Sequence, residues 1–345
     1  MTPLYLHGRG LACASGMGLP ASLQALRSAP PAAQRMAIGG LAYAYRPIPA
    51  SGLPAEDAPE AWQARCAALV QRVGAESGAS GDEALILASS SFDMGRLERG
   101  GHWLGDGLSF AAEVATAMGW RGPVYTVNTA CTSAFNGLRL AADLLDEPGL
   151  PGALVVGLEC HNRFSLAGFA AMQLIGPVDS AVHTPPSGLV LGEGVAALRL
   201  GREPARWRLA GSGHVVCGTD PGGATATALD DAIALALEDA GLDATDIGLV
   251  RRHATGGAQS DGVEDEVLAR HLPHAPPSVG LKPWCGHTQG ASAAVELALL
   301  TAAIEQALPL HGAMVPWPRA RHVLALGLGF GGGHAALVLE DGDAR

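Results

Sequence analysis

Residues able to do chemistry gather in three short segments of this chain. Cys131 stands in Val127-Asn128-Thr129-Ala130-Cys131-Thr132-Ser133-Ala134, where a β-branched run gives way to an apolar helical pattern. Thiolate, not thiol, is the attacking species, and a free cysteine is mostly protonated at neutral pH. Phe135, Leu138, Ala141, Ala142 and Leu145 follow at helical spacing, so Cys131 is expected near a helix N-terminus, where unpaired N–H groups and the macrodipole favour negative charge. A buried, inert cysteine among small residues fits the same segment. Arg252-His253-Ala254-Thr255-Gly256 and Lys282-Pro283-Trp284-Cys285-Gly286-His287-Thr288 each set a histidine on a short glycine-containing turn. Taken together, the three segments suggest a Cys-His-His site.

Of the 22 basic residues, 21 are arginine and one is lysine, Lys282, five positions before His287. An ammonium is a compact point charge that the planar guanidinium does not imitate. A functional lysine is therefore expected there, against a chance survivor on a solvated face. The remaining histidines show no metal-ligand spacing, and His334 is ambiguous because it adjoins Gly331-Gly332-Gly333. Cys285 has no helix start immediately after it, which favours packing over reactivity. Asp261 and Glu264 either serve the first histidine or simply cap and solvate a helix near 262 to 271.

Positioning these groups requires strands and helices in alternation. Strand-like runs fall at 84 to 88, 124 to 127, 153 to 158 and 189 to 200, then at 207 to 217, 248 to 253, 279 to 281, 322 to 326 and 335 to 339. Helical patterns lie between them at about 60 to 73, 131 to 145, 225 to 240, 262 to 271 and 290 to 307. The alternation predicts an α/β architecture. The helices at 131 to 145 and 290 to 307 are rich in alanine and leucine nearly all round, so both are expected to be buried between layers. Each follows a strand and a reactive turn, a weak internal duplication.

With 48% hydrophobic and 16% charged residues over 345 positions, the chain can bury a large core. A net charge of -11 without a basic run argues against nucleic-acid binding. Six scattered cysteines imply neither a zinc ribbon nor a disulfide framework, which points to a reducing, cytoplasmic setting. His7 and Arg9 interrupt the N-terminal apolar stretch, and Glu296 and Glu305 interrupt the apolar helix. Neither signal peptide nor membrane span is expected.

These motifs resemble the β-ketoacyl-(acyl carrier protein) synthases of the thiolase superfamily, in their elongating Cys-His-His branch. Asn128 through Ser133 is similar to the nucleophile motif. His253-Ala254-Thr255-Gly256 with Asp261 and Glu264 is similar to the first histidine motif, and Lys282 through Ala291 to the second. Gly192-Glu193-Gly194 resembles the family's hairpin, Gly329-Phe330-Gly331-Gly332 its glycine turn with the gating phenylalanine, and Gly8-Arg9-Gly10-Leu11 its opening strand and turn. The initiating branch carries asparagine at the place of His287, thiolases a second cysteine in the glycine turn, and chain-length factors typically lack the nucleophile.

The resemblance implies a thiolase-like fold, with two similar halves (1–205 carrying the nucleophile, 206–345 both histidines) in one integrated αβαβα sandwich. It implies an acyltransferase that loads an acyl group on Cys131 and joins it to malonyl-thioester by decarboxylative Claisen condensation, in fatty-acid, polyketide or polyene synthesis. His253 and His287 would bind the thioester oxygen, the N–H groups of Cys131 and Phe330 would form the oxyanion hole, and Phe330 would gate entry. Lys282, paired with Glu264, would organise the surroundings. Expected partners are an acyl carrier protein, met through Arg96, Arg99, Arg121 and Arg139, and a second synthase chain docked near Leu85 to Leu87, in a homodimer or heterodimer. No cofactor or metal is expected. Departures stand at Arg251, Arg252, Ala254, Ser260, Leu328 and His334, and in 177–188, where the family's arginine-containing pattern is lost. They keep open a chain-length-factor-like subunit, or an acyltransferase that does not condense.

Overall fold

Ten strand-forming runs join into one large sheet: β1 (Leu4–Cys13), β2 (Ala84–Ala88), β3 (Val124–Val127), β4 (Ala153–Glu159), β5 (Gly194–Gly201), β6 (Trp207–Val216), β7 (Ile247–Arg251), β8 (Ser278–Val279), β9 (His322–Gly329) and β10 (Gly333–Asp341). The computed structural model describes residues 3–54, 57–102, 106–146, 149–176, 178, 188–218, 223–308 and 320–344. The strand order is β8-β7-β9-β10-β6-β1-β5-β4-β2-β3, with a two-residue strand, Gly16–Met17, pairing β1 off that path. Parallel pairs lie toward both ends, where β2 pairs with β3 and β4, and β7 with β8 and β9. β1 pairs with β6 at Leu4 to Leu6 and joins the two ends.

Side-chain alternation sorts the core into layers. Ala84, Ile86 and Ala88 face one cluster with Val155, Leu198, Val323, Ala325 and Leu337, whereas Leu85, Leu87, Leu154 and Val156 face another. Leu324, Leu326, Ala336 and Val338 face a third. Strands covered on both faces are apolar throughout instead of alternating with polar residues. The outer layers are α1 (Pro59–Ser77) with α2 (Gly107–Met118) on one side, and α5 (Ala226–Ala240) with α6 (Ala258–His271) on the other. Between the sheet portions lie α3 (Ser133–Asp146) and α7 (Ser292–Glu305). This is the expected αβαβα arrangement of a thiolase-like fold.

The two middle helices differ. α7 is buried at every position from Ser292 to Ile304, as its all-round apolar pattern predicts. α3 is not: Arg139, Asp143 and Asp146 are exposed, and Asn136, Leu140 and Leu144 are half-buried. The expectation of two fully sandwiched helices is thus corrected, because α3 keeps a polar stripe. Leu85 and Leu87 are fully buried inside the sheet, so they cannot carry docking to a second chain; the edge strand beside them is β3. No helix among the described residues is long and apolar enough to cross a membrane.

A small second sheet was not legible in the sequence. Gln34–Ile38 and Leu41–Arg46 form a hairpin across Gly39 and Gly40, both at positive φ, as tight hairpin turns require. Leu41–Arg46 also pairs with Leu191–Gly192. With α4 (Arg163–Ala171), this sheet builds an apolar cluster of Tyr43, Tyr45, Leu166, Phe169 and Leu191 beside Phe330.

Candidate active site

Cys131 ends the turn that leaves β3, two residues before α3 begins. The preceding Ala130 sits at φ 50, a conformation that a non-glycine residue holds only when its surroundings impose it. The Ser133 hydroxyl imposes it, donating to the Ala130 carbonyl at 2.6 Å while accepting the Thr129 N–H at 3.0 Å. Thr132 Oγ1 donates to the Thr129 carbonyl at 2.7 Å, and Asn136 Nδ2 to Thr129 Oγ1 at 2.8 Å. Gly329 allows the C-terminal turn to close on this one, since a Cβ there would lie 3.3 Å from the Cys131 nitrogen. The backbone N–H groups of Phe330 and of Cys131 itself then point at the sulfur.

His287 follows the short helix Lys282–Cys285. Its backbone is fixed against Val190 and Gly192, and its Nε2 lies 3.1 Å from Cys131 Sγ. Nδ1 meets Ser292 Oγ at 3.1 Å. A hydroxyl both donates and accepts, so either neutral tautomer of His287 is satisfied. The His253 ring stands edge-on to it, 5.3 Å between centroids at 88°.

Carboxylates anchor the His253 turn. Glu264 accepts the N–H groups of His253 and Ala254, and Asp261 those of Thr255 and Gly256. Both therefore brace the loop and leave the start of α6 without a side-chain cap. Lys282 Nζ donates to the His253 carbonyl and pairs with Glu296 Oε1 at 2.8 Å. The expected Lys282–Glu264 pair does not form, because the Glu264 oxygens are occupied by the loop N–H groups and Arg252 while Glu296 reaches in from α7.

Burial sets the electrostatics. It pushes the Cys131 thiol up to about 12, with Glu159 raising it further and Lys282 and the Phe330 and Cys131 N–H groups opposing. In place of a thiolate poised by the helix N-terminus, Cys131 is a buried thiol, 5% exposed, with His287 Nε2 at hydrogen-bond distance. Burial first, then Lys282 and Arg251, holds His287 well below the ordinary histidine range. His253 is lowered likewise by burial, Lys282, His287, Arg251 and His334. Both imidazoles are neutral at pH 7.

Cys131, His253, His287, Phe330, Phe169 and His334 line one cavity of about 90 Å³. The Phe330 ring centroid stands 5.2 Å from that of Phe169, both in the cavity lining. His334 Nε2 accepts the Thr225 N–H at 3.0 Å, which leaves Nδ1–H to donate to the Gly332 carbonyl. The sequence reading missed Glu296, Glu159, Ser292 and Phe169. Glu296 offered a signal, a lone carboxylate within an otherwise apolar stretch of helix. Glu159, held by the Ser90 and Ser91 hydroxyls and the Gly290 N–H, offered none.

The four arginines expected to form a docking patch are each engaged: Arg96 with Asp93 and Glu113, Arg99 with Glu98, Arg121 with Asp82 and Arg139 with Asp143. They do not form an uncompensated basic surface. Cys285 is fully buried, consistent with packing. Among the described residues no cluster of His, Cys, Asp or Glu could hold a metal ion. Most of the departing segment 177–188, with His183 and His311, lies outside the described residues.

Comparison with known proteins identifies the family and the fold. The model of the beta-ketoacyl synthase N-terminal domain matches residues 63–205, and that of its C-terminal domain residues 209–311. A Streptomyces cyaneus protein designated a polyketide beta-ketoacyl synthase 1 is 31% identical over 272 residues, 67% of this chain and 64% of that protein. A counterpart in Streptomyces halstedii is 30% identical over 279 residues, 69% and 65%. The matched region thus spans less than two thirds of these curated relatives. Among solved structures, the ketosynthase ApeO in complex with its chain length factor ApeC from Xenorhabdus doucetiae superposes with a TM-score of 0.81 at 20% identity, covering 99% of this chain and 98% of that one. A beta-ketoacyl synthase from Burkholderia phymatum does so with 0.81 at 22%, covering 99% and 100%. At these identities the superpositions speak for the fold.

Proposed function

The chain belongs to the beta-ketoacyl synthase family, and on that premise we propose that it catalyses decarboxylative Claisen condensation of a cysteine-bound acyl group with malonyl-thioester. The observation that carries this reading is the convergence of three distant residues: Cys131 Sγ at 3.1 Å from His287 Nε2, with the His253 ring 5.3 Å from that of His287.

In the first half-reaction neutral His287 takes the thiol proton as Cys131 attacks an acyl thioester. The tetrahedral oxyanion is held by the N–H groups of Cys131 and Phe330, and collapse expels the carrier thiol, which takes up a proton. In the second, malonyl-thioester enters past Phe330. Ring N–H groups of His253 and His287 donate to its carbonyl oxygen, CO₂ leaves, and the resulting enolate carbon attacks the acyl-cysteine to release the thiolate, which takes a proton from solvent to restore the thiol. Neutral imidazole suits this step because it stabilises developing negative charge without surrendering a proton beforehand. Ser292 accommodates both halves by accepting from Nδ1–H in the first and donating to Nδ1 in the second. Lys282, Glu264 and Asp261 position the His253 turn and do not touch the reacting atoms.

The reading extends to an acyl carrier protein as donor, to polyketide or fatty-acid synthesis, and to a cytoplasmic setting in which the six cysteines stay reduced. We read 1–205 and 206–345 as the two halves of one module. The edge strand β3, one turn from the nucleophile, is where a second synthase chain would add, either identical or related. A chain-length-factor-like subunit is the second reading, favoured by the departures around the first histidine at Arg251, Arg252, Ala254 and Ser260.

Mass spectrometry after incubation with acyl-carrier protein tests the assignment. Cys131 is expected to gain the acyl group, Cys131→Ala to gain none, and subsequent addition of malonyl-carrier protein to yield a β-ketoacyl product. Acylation without any carbon–carbon bond formation, also in the presence of synthase homologues, would reject condensation.

A further inference from the structure

Among the largest fully buried side chains, one is charged: Arg251, at the end of β7 and two residues before His253. Its Nη1 lies 3.2 Å from Glu296 Oε2 and 3.2 Å from the Arg252 carbonyl. The guanidinium carbon lies 5.4 Å from the Phe135 ring centroid. Nε and Nη2 have no hydrogen-bond partner among the described residues. Such donors are costly to bury, and an apolar residue of similar volume commonly fills a site of this kind at no loss of stability. Packing does not account for an arginine here; its charge does.

Glu296 is the carboxylate through which that charge acts. It is fully buried, and its other oxygen lies 2.8 Å from Lys282 Nζ. Two cations thus share one carboxylate directly beneath the catalytic pair, leaving a local excess of positive charge. We infer that Arg251 is a positioning residue of this site, a permanent cation that divides Glu296 with Lys282 and so adds to burial in keeping His253 and His287 uncharged in the resting site. A guanidinium is not deprotonated in a protein, so the bias persists at every working pH.

The surrounding charges favour that result. His253 is faced by Lys282 from the short helix before His287, by Arg251 and Arg252 at the end of β7, by Glu264 on α6, by His334 on β10 and by His287 itself. His287 is faced by Cys131, Lys282 and Arg251, with Glu159 of β4 acting on the same thiol. Glu264 is already engaged by two N–H groups and Arg252, so a proton on either imidazole would add a third positive charge against Glu296. The inference rests on the condensation reading for its purpose, since neutral imidazoles serve as donors to the thioester oxygen.

The test uses the full chain with ¹⁵N-labelled histidine, following the ring nitrogens of His253 and His287 by NMR, assigned with His253→Gln and His287→Gln. In Arg251→Met both midpoints are expected to rise toward the ordinary histidine range while thermal unfolding stays within a few degrees of the parent. The ratio of malonyl decarboxylation at pH 6 to that at pH 8 is expected to fall by up to about fourfold for each imidazole whose midpoint reaches about 6.5, since about a quarter of it is then neutral at pH 6. Arg251→Lys is expected to restore both midpoints and ratio. Should the methionine variant not fold, Arg251→Gln, nearly isosteric and uncharged, gives the same readout. Midpoints unmoved by loss of the charge would overturn the role of Arg251 and leave condensation standing. Moved midpoints in a chain that forms no carbon–carbon bond support the role and reject only the reaction.

Discussion

The nucleophile turn and the histidine turns meet at one cavity but are held by opposite means. Around Cys131 the anchors are neutral: the hydroxyls of Thr132 and Ser133, the Asn136 amide and backbone N–H groups. Around His253 and His287 they are charged: Lys282, Arg251, Glu296, Glu264 and Asp261. The difference follows from what each side must do. A thiol that yields its proton only when substrate arrives needs a fixed position, with burial and Glu159 outweighing the opposing pull of Lys282. Imidazoles that must stay neutral while donating need an electrostatic bias, and buried fixed charges supply one.

Removing Glu296 puts the largest strain on this contrast. Glu296→Ala leaves Lys282 and Arg251 uncompensated in the core, and breaking a buried pair in that way costs about 3–5 kcal/mol. Denaturant unfolding is expected to show that loss. A variant as stable as the parent would mean that the histidine turns do not depend on their charges.

Next in size are the histidines themselves. Loss of one oxyanion donor costs about 10²–10³ in turnover, and both His253→Ala and His287→Ala are expected to slow malonyl decarboxylation by that much. The two should part company on acylation: His287 touches Cys131 Sγ at 3.1 Å, so His287→Ala is expected to slow the acyl adduct as well, and His253→Ala to leave it near the parent rate. Equal effects on acylation would dissolve the division of labour proposed between the rings.

How far sequence reaches differs along the same line. β2 was readable to the residue at 84 to 88 because a strand buried on both faces is a continuous apolar run bounded by turns, and the half-buried edge strand β3 at 124 to 127 because its four residues are β-branched or aromatic. The three reactive segments were readable because a nucleophile, two histidines and a lone lysine are conspicuous by type. The pairing of Lys282 with Glu296 was not, since fourteen positions and a turn separate them and Glu264 lay nearer in motif. Nor was the rise in the Cys131 thiol: helix spacing showed the dipole, but the opposing burial and Glu159 come from β4, β9 and α7 closing over the turn. The Gln34–Arg46 hairpin escaped because its strands are short and carry alanine and arginine on the face opposite Met36, Ile38, Tyr43 and Tyr45, so neither is the continuous apolar run that marks the large sheet.

The pH response offers a smaller handle. His253 and His287 are held below the ordinary histidine value in the folded chain, so between that value and their folded ones the unfolded state binds more protons. Stability then rises with pH: the contribution is fully present above about pH 6.5 and is lost as pH falls below it, a midpoint lowered by one pH unit being worth about 1.4 kcal/mol. Urea midpoints from pH 8 to pH 5 are expected to fall more steeply in the parent than in a His253→Gln, His287→Gln double variant. Parallel slopes would show that neither imidazole is held neutral by the fold.

The smallest expected effect tests the neutral side of the contrast. Ser133 is fully buried and makes two hydrogen bonds within its own turn, donating to the Ala130 carbonyl and accepting the Thr129 N–H. Ser133→Ala removes both at nearly constant volume, and a typical hydrogen bond is worth about 1 kcal/mol net, so global stability should drop only slightly. Ala130, however, loses the contact that keeps it at positive φ, and relaxation there moves Cys131 away from His287. Acylation is expected to slow by about tenfold, short of the roughly 10²-fold that a full 1 Å displacement costs, while decarboxylation of malonyl-thioester, carried by the charged side, stays close to the parent. Loss of both steps together would mean that the two turns move as one body, and that the neutral and the charged anchors share a single scaffold.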